Sequence, residues 1–220
     1  NTLHKAVLIG QNIQSLTPEL RTYGLDGIFL IEDDNLENYN TEICVEGILQ
    51  LAEEKKPVLI IAAATDKGNE ILSHIGARLN LPLSANTSNI ELGDENKLVR
   101  YRWGSSLLEE TIIKSNPLLI TLALNLLKAE KVSANISEIE NFHVKFNAAS
   151  FRVQLTGREE NVDSGTSLVS APIVIGGGRG VGSAEGFLVL EELAECIDGA
   201  VGGSRVATNN GWISHTRQVG

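Results

Sequence analysis

APIVIGGGRGVG, residues 171–182, predicts a β-strand that runs into a glycine-rich turn. The apolar run 173–175 supplies the strand, and Pro172 stands at its start, where a missing N–H is tolerated. Apolar residues then recur at helical spacing over about 184–197, and Ser183 is a suitable N-cap for that helix. Such a turn lets the backbone approach a ligand closely, and the unpaired N–H groups at a helix start favour an anion.

The turn matches neither of the two common phosphate-binding fingerprints. The pattern G-x-G-x-x-G fails in every frame, because the nearest match, which begins at Gly178, has Ser183 as its last residue. No G-x-x-x-x-G-K-[ST] occurs either. The pattern alone therefore leaves two interpretations open: nucleotide binding, or a tight turn whose small residues allow close packing.

Two arginines favour the ligand-binding interpretation. Arg179 follows the strand at 173–175, and Arg205 follows a second predicted strand at 199–203. Ligands of open α/β sheets lie beyond the carboxyl ends of the strands. Two guanidinium groups at that edge could pair with a pyrophosphate or lie against a flavin ring.

The upstream part of the chain alternates strands with helices. Short apolar runs predict strands at 6–9, 27–31 and 57–62. Amphipathic stretches predict helices at 40–55 and 68–80. This order predicts a doubly wound α/β sheet. From about residue 84 the pattern changes to successive strands, at 84–92, 97–103, 110–114 and 117–122.

A polar stretch separates this part from the glycine-rich turn. Residues 157–165, GREENVDSG, are typical of a linker. We therefore expect one domain over residues 1–160, a linker at about 157–170 and a second domain over residues 171–220.

Composition narrows the class of protein. The formal charge of −10 argues against nucleic acid or an anionic membrane as the main partner. No apolar run approaches the roughly 20 residues that span a bilayer, and the first residues lack a signal-peptide layout. Cys44 and Cys196 belong to no metal-binding cluster, and the four histidines are scattered. We expect a cytoplasmic protein without a metal site.

Several segments resemble the alpha subunit of electron-transfer flavoproteins. The strongest matches stand in the family's order, at 175–182 (IGGGRGVG), 200–205 (AVGGSR), 211–212 (GW) and 218–220 (QVG). Residues 76–83 (GARLNLPL) and 99–104 (VRYRWG) look like the family's first domain. Several segments in one order are far more specific than any single one, and the resemblance covers essentially the whole chain.

The resemblance implies a three-layer α/β/α nucleotide-hydrolase-like domain that pairs with a beta subunit, followed by a Rossmann-like FAD-binding domain. It places Arg179, Ser204, Arg205, Val219 and Gly220 on FAD-contacting positions, with Arg205 near the flavin ring. The implied protein is a heterodimeric electron carrier. It would take electrons from flavin dehydrogenases, such as the acyl-CoA dehydrogenases of fatty acid beta-oxidation, and pass them to a downstream acceptor. The flavin does the chemistry, so no catalytic residue is expected.

The sequence departs from the family pattern at four places. Gly202-Gly203 stands where the family has glycine-alanine, Asn209-Asn210 removes an aspartate, and Ser214 replaces a proline. The chain also stops at Gly220, so we expect a truncated FAD-binding domain with an incomplete site that retains little FAD. Two alternatives stay open: an NADP-dependent oxidoreductase fragment, with Arg205 taking the ribose phosphate, and a flavin-free docking or assembly subunit.

Overall fold

The chain folds as a mixed α/β protein, which confirms the predicted fold class. The computed structural model describes residues 3–132, 138–153, 155–157, 167–168 and 171–219. Two compact units emerge, Asn1–Arg158 and Glu159–Gly220. Most of the predicted linker, about 157–170, lies outside the described residues.

The described part of the first unit contains eight strands and three α-helices. The strands are β1 (Lys5–Ile9), β2 (Gly27–Ile31), β3 (Leu59–Ala63), β4 (Leu83–Glu91), β5 (Asn96–Arg102), β6 (Leu107–Ile113), β7 (Leu118–Leu122) and β8 (Glu138–Asn141). The helices are α1 (Thr17–Leu20), α2 (Thr41–Lys55) and α3 (Asp66–Leu79). The described part of the second unit has strands β9 (Val174–Gly177) and β10 (Ala200–Gly203), with helices α4 (Ala184–Cys196) and α5 (Arg205–Asn209).

The strands of the first unit form two sheets, so β1 and β2 do not share a sheet with β3 as the doubly wound pattern predicts. One sheet has the order β1-β2-β8 and is parallel throughout. The other has the order β3-β7-β4-β5-β6, with β3, β7 and β4 parallel and the last two strands antiparallel. The difference arises because β8, which the sequence pattern did not predict, pairs with the second edge of β2. β2 is buried along its whole length, as a central parallel strand requires.

Helix α3 covers the parallel part of the second sheet. Thr65 caps its start, since the Thr65 side chain accepts a hydrogen bond from the N–H of Gly68 at 3.1 Å. The buried residues of its apolar stripe are Leu72 and Ile75, which pack with Leu119 of β7. The amphipathic helix predicted at 68–80 is therefore confirmed, with Leu79 at its end 39% exposed.

A cluster of buried polar side chains lies near the carboxyl ends of β3 and β7. The Thr121 hydroxyl donates to Oδ1 of Asn69 in the first turn of α3 at 2.7 Å, and accepts from the N–H of Asn86 at 3.1 Å. The Thr87 hydroxyl lies 2.9 Å from the Ser84 hydroxyl and 3.0 Å from the Ser84 carbonyl. Ser84, Thr87 and Thr121 are fully buried, so each hydroxyl has a partner within the protein.

The two cysteines differ in burial. Cys44 lies on α2 and is buried, and this burial raises the pKa of its thiol. Cys196 is the last residue of α4 and is exposed. Over the part of the chain that the structure describes, no helix has both the length and the apolar character to cross a bilayer.

Candidate functional site

Strands β9 and β10 pair in parallel and end at the same edge. Gly177 faces Gly203 in their last pair, and the N–H of Ser204 donates to the Gly177 carbonyl at 2.8 Å. Arg179 and Arg205 each lie two residues beyond that pair. The structure therefore brings the two predicted arginines to one edge of this sheet.

The glycines of the turn are of two kinds. A Cβ on Gly177 would overlap the ring of Phe187 and lie 2.9 Å from Leu190, so this glycine lets α4 pack directly on the strand. A Cβ on Gly176 or Gly180 would meet no atom within 4 Å. The close-packing interpretation is therefore confirmed at Gly177, whereas Gly176 and Gly180 leave an open backbone surface on which nucleotide binding stays a prediction.

The start of α4 is capped by its own side chains. The hydroxyl of Ser183 accepts from the N–H of Gly186 at 3.3 Å, which confirms the predicted N-cap. Hydrogen bonds from the backbone N–H of Glu185 and from the Ser183 side chain hold the pKa of the Glu185 carboxyl below its ordinary value. A carboxylate therefore already lies at this helix start. The start of α4 thus already has a negative charge beside it, which disfavours a second anion at the same position.

The turn offers donors for such an anion. Within residues 171–219, the backbone N–H groups of Arg179 and Gly180 donate to no protein acceptor. The exposed guanidinium groups of Arg179 and Arg205 form no ion pair with any carboxylate that the structure describes. Two positive charges and two free N–H groups therefore lie beyond the carboxyl ends of two adjacent strands, the arrangement that binds phosphate groups in open sheets.

Ser204 links the two strand ends. Its hydroxyl oxygen accepts from the N–H of Ala207 at 3.4 Å and so caps α5. The hydroxyl proton remains free to donate to another acceptor. The same oxygen lies 4.0 Å from the point that a Cβ on Gly178 would occupy, so Ser204 faces the glycine-rich turn.

Val219 is placed against the far side of β10. Its N–H donates to the Gly203 carbonyl at 2.9 Å, and Gln218 forms a parallel bridge with Gly203. A Cβ on Gly202 would lie only 2.6 Å from Cγ1 of Val219, so the glycine makes room for the valine. Gly220, the fifth predicted site residue, lies outside the described residues.

Thr208 joins this group of residues without having been predicted. Its hydroxyl is buried on α5, 2.9 Å from Oε1 of Gln218 and 3.1 Å from the Arg205 carbonyl. No local pattern marks it, because a threonine in a short helix is common and its partner Gln218 is ten residues away.

The residues present fit a dinucleotide such as FAD. A diphosphate is anionic and needs several N–H donors, which Arg179, Gly180 and Arg205 offer on an open surface. The chain is therefore an α/β protein with two exposed arginines and a glycine-rich turn at the carboxyl ends of adjacent strands.

Comparison with known proteins extends this description. Residues 4–147 match the electron transfer flavoprotein domain, and residues 167–220 match the electron transfer flavoprotein FAD-binding domain. The chain belongs to the electron transfer flavoprotein alpha-subunit family, and FAD is the cofactor of its C-terminal domain family.

Similar proteins include the electron transfer flavoprotein subunit alpha of Thermoanaerobacterium thermosaccharolyticum, with 30% identity over 98% of this chain. Protein FixB of Clostridium saccharobutylicum is 29% identical over 98% of the chain. The acryloyl-CoA reductase electron transfer subunit beta of Anaerotignum propionicum is 24% identical over 97%. The chain covers 66%, 65% and 67% of the length of these three relatives, respectively.

Proposed function

We propose that this chain is part of an FAD-dependent electron carrier, acting as its alpha subunit in a heterodimer with a beta subunit. It would accept electrons from flavin dehydrogenases, such as acyl-CoA dehydrogenases in fatty acid beta-oxidation, and pass them to a redox partner. The single observation that carries the proposal is the pair of arginines, Arg179 and Arg205, which have no carboxylate partner among the described residues and lie at one sheet edge.

We assign five residues to the cofactor site: Arg179, Ser204, Arg205, Val219 and Gly220. Arg179 and the N–H groups of the turn would hold the diphosphate. Ser204 would donate its free hydroxyl proton, and the backbone of Val219 would line the site beside β10. These roles are supported by the free donors at Arg179 and Gly180 and by the hydrogen bond from Val219 to Gly203.

Bound FAD would supply the redox chemistry by taking up and releasing electrons. The contribution of the protein is electrostatic. Arg205 keeps a fixed positive charge at any physiological pH, because the pKa of a guanidinium group lies far above that range. A fixed positive charge beside the ring favours the reduced, anionic form and so raises the potential at which electrons are accepted. No proton donor or nucleophile is required of the chain.

We further assign residues 1–160 to a domain that contacts the beta subunit and residues 171–220 to the FAD-binding domain. The family matches at 4–147 and 167–220 support this division. A cytoplasmic location is proposed because both cysteines are free thiols.

Co-expression of the full-length gene with its neighbouring beta-type gene tests the proposal. The purified complex should carry FAD in a one-to-one ratio, measured by flavin absorbance, and accept electrons from a reduced flavin dehydrogenase. Arg179→Ala and Arg205→Ala should each weaken FAD binding about tenfold, whereas Arg102→Ala in the first unit, an equal change of charge, should leave it unchanged. A complex that purifies without FAD refutes the proposal. Hydride uptake from NADPH without any partner protein would support a dehydrogenase instead.

A further inference from the structure

Among the described residues 171–219, Thr208 carries the most deeply buried polar side chain beside the proposed FAD site. Thr208 is 2% exposed and lies on α5, three residues after Arg205 and four after Ser204. Its oxygen is 2.9 Å from Oε1 of Gln218 and 3.1 Å from the Arg205 carbonyl. Its single proton is thus shared between two acceptors, and both belong to segments that carry proposed FAD-binding residues.

The first of these segments is the end of the described chain. After a 3-10 turn over His215–Arg217, Gln218 enters a parallel bridge with Gly203, and Val219 donates to the Gly203 carbonyl at 2.9 Å. This segment therefore extends the two-stranded sheet by one further position beside β10. The backbone of this segment is held by its hydrogen bond to Gly203 of β10. The Gln218 side chain is held by the hydrogen bond that it accepts from Thr208 on α5.

The second segment is the first turn of α5. Ser204 caps this helix, and the N–H of Thr208 donates to the Ser204 carbonyl at 3.0 Å. Through its backbone and side chain Thr208 thus contacts Ser204, Arg205 and the residue before Val219.

We propose that Thr208 is a positioning residue for the cofactor: its hydroxyl fixes Gln218, and with it the backbone of residues 218–219, relative to Arg205. The inference rests on the proposed function of this edge as an FAD site. Loss of the hydroxyl leaves the Gln218 side chain without its buried donor. The segment then shifts away from the carboxyl end of β10, and FAD loses a wall of its site.

The test compares Thr208→Val, which keeps the side-chain shape, with Thr208→Ser, which keeps the hydroxyl. Both are made in the FAD-loaded complex of the full-length protein with its beta-type subunit. Thr208→Val should raise the Kd for FAD about tenfold, the loss of one buried hydrogen bond, and Thr208→Ser should stay within about twofold of the wild type. In the FAD-free protein, amide hydrogen exchange at Val219 should become faster in Thr208→Val alone.

Two further variants separate positioning from general destabilisation. Thr121→Val removes an equally buried hydroxyl in the first unit and should lower the melting temperature without changing the Kd for FAD or the exchange at Val219. Gln218→Ala removes the acceptor, so it should reproduce the effect of Thr208→Val, and the double variant should be no worse than either single one. Gln218→Ala also carries the test if Thr208→Val does not fold.

The possible outcomes distinguish this inference from the proposed function. A Thr208→Val complex that binds FAD as tightly as the wild type, with unchanged exchange at Val219, overturns the positioning role and leaves the FAD site in place. A wild-type complex that binds no FAD refutes the proposed function. The exchange measurement on the FAD-free protein then still decides whether Thr208 holds the segment.

Discussion

The two units differ in the polar groups that lie near the ends of their parallel strands. In the first unit the hydroxyls of Ser84, Thr87 and Thr121 are buried near the strand ends and are hydrogen-bonded within the protein. In the second unit Arg179 and Arg205 stand exposed at the strand ends with no carboxylate partner among the described residues. The buried hydroxyls of the first unit thus stabilise its sheet, whereas the two cations at the strand ends of the second unit stay available to a ligand. The two exposed cations without a described carboxylate partner mark the candidate site.

Packing at Gly177 provides the largest expected effect in this comparison. Gly177→Ala introduces a Cβ that overlaps Phe187, so we expect the second unit to lose about 2–3 kcal/mol of unfolding free energy. Gly180→Ala, where no atom lies within 4 Å, should change it by less than about 0.5 kcal/mol. Urea unfolding followed by Trp212 fluorescence measures both, in a Trp103→Phe background. Equal stability of the two variants would contradict the division of the turn into packed and open glycines.

Removal of a satisfied hydroxyl tests the first unit. Thr121→Val leaves Asn69 and the N–H of Asn86 without a buried partner, so we expect a loss of about 2 kcal/mol. Thr111→Val on the edge strand β6 is the matched control and should cost less than about 0.5 kcal/mol. Urea unfolding followed by far-ultraviolet circular dichroism distinguishes them. A neutral Thr121→Val would mean that the polar cluster does not stabilise the strand ends.

Removal of an unpaired charge in the second unit should weaken ligand binding and leave stability unchanged. We expect Arg205→Ala to weaken FAD binding about tenfold, or about 1.4 kcal/mol, and to leave stability nearly unchanged because no ion pair is lost. Arg78→Ala in the first unit should instead lower stability without affecting FAD, since Arg78 pairs with Glu42 and Glu46. Equilibrium dialysis with FAD and thermal unfolding measure the two effects. An Arg205→Ala variant with a clearly lower melting temperature but an unchanged Kd for FAD would contradict this assignment.

The smallest expected effect concerns the carboxylate at the start of α4. The pKa of Glu185 is lowered in the folded state, so its ionised form stabilises the fold above the unfolded-state value near 4.5. This stabilisation is lost as the pH falls through the folded-state pKa. Glu185→Gln should therefore be slightly less stable than the wild type at pH 7, and the difference should shrink as the pH falls below about 4.5. A constant difference, measured by urea unfolding across that range, would assign the effect to shape instead of charge.

The sequence allowed the local features of both units to be predicted, because they depend on neighbouring residues. The cap of α4 by Ser183 and the arginines after β9 and β10 follow from short patterns, and the structure brings those arginines to one edge. The short strand β8 was missed, since its pairing with β2 joins segments more than a hundred residues apart.

The same limit applies to the site. Thr208 meets Gln218 only after the chain has turned through a helix and a 3-10 turn, and Thr121 meets Asn69 across 52 positions. Such contacts are set by tertiary folding, and their residue types are ordinary in the sequence. The binding roles of Arg179, Ser204, Arg205, Val219 and Gly220 remain predictions.

Because one cysteine is buried and the other is exposed, thiol labelling can follow the opening of the first unit. Cys196 lies exposed in the second unit, whereas Cys44 is buried in the first, with a raised pKa that keeps less of it as the reactive thiolate. A chromogenic disulfide added to the native protein should therefore label one thiol at once and the other only when the first unit opens. At reagent concentrations where labelling outpaces reclosing, the slow phase gives the opening rate of that unit. Its response to added FAD then shows whether ligand binding at one unit slows the opening of the other, without any substitution in the protein.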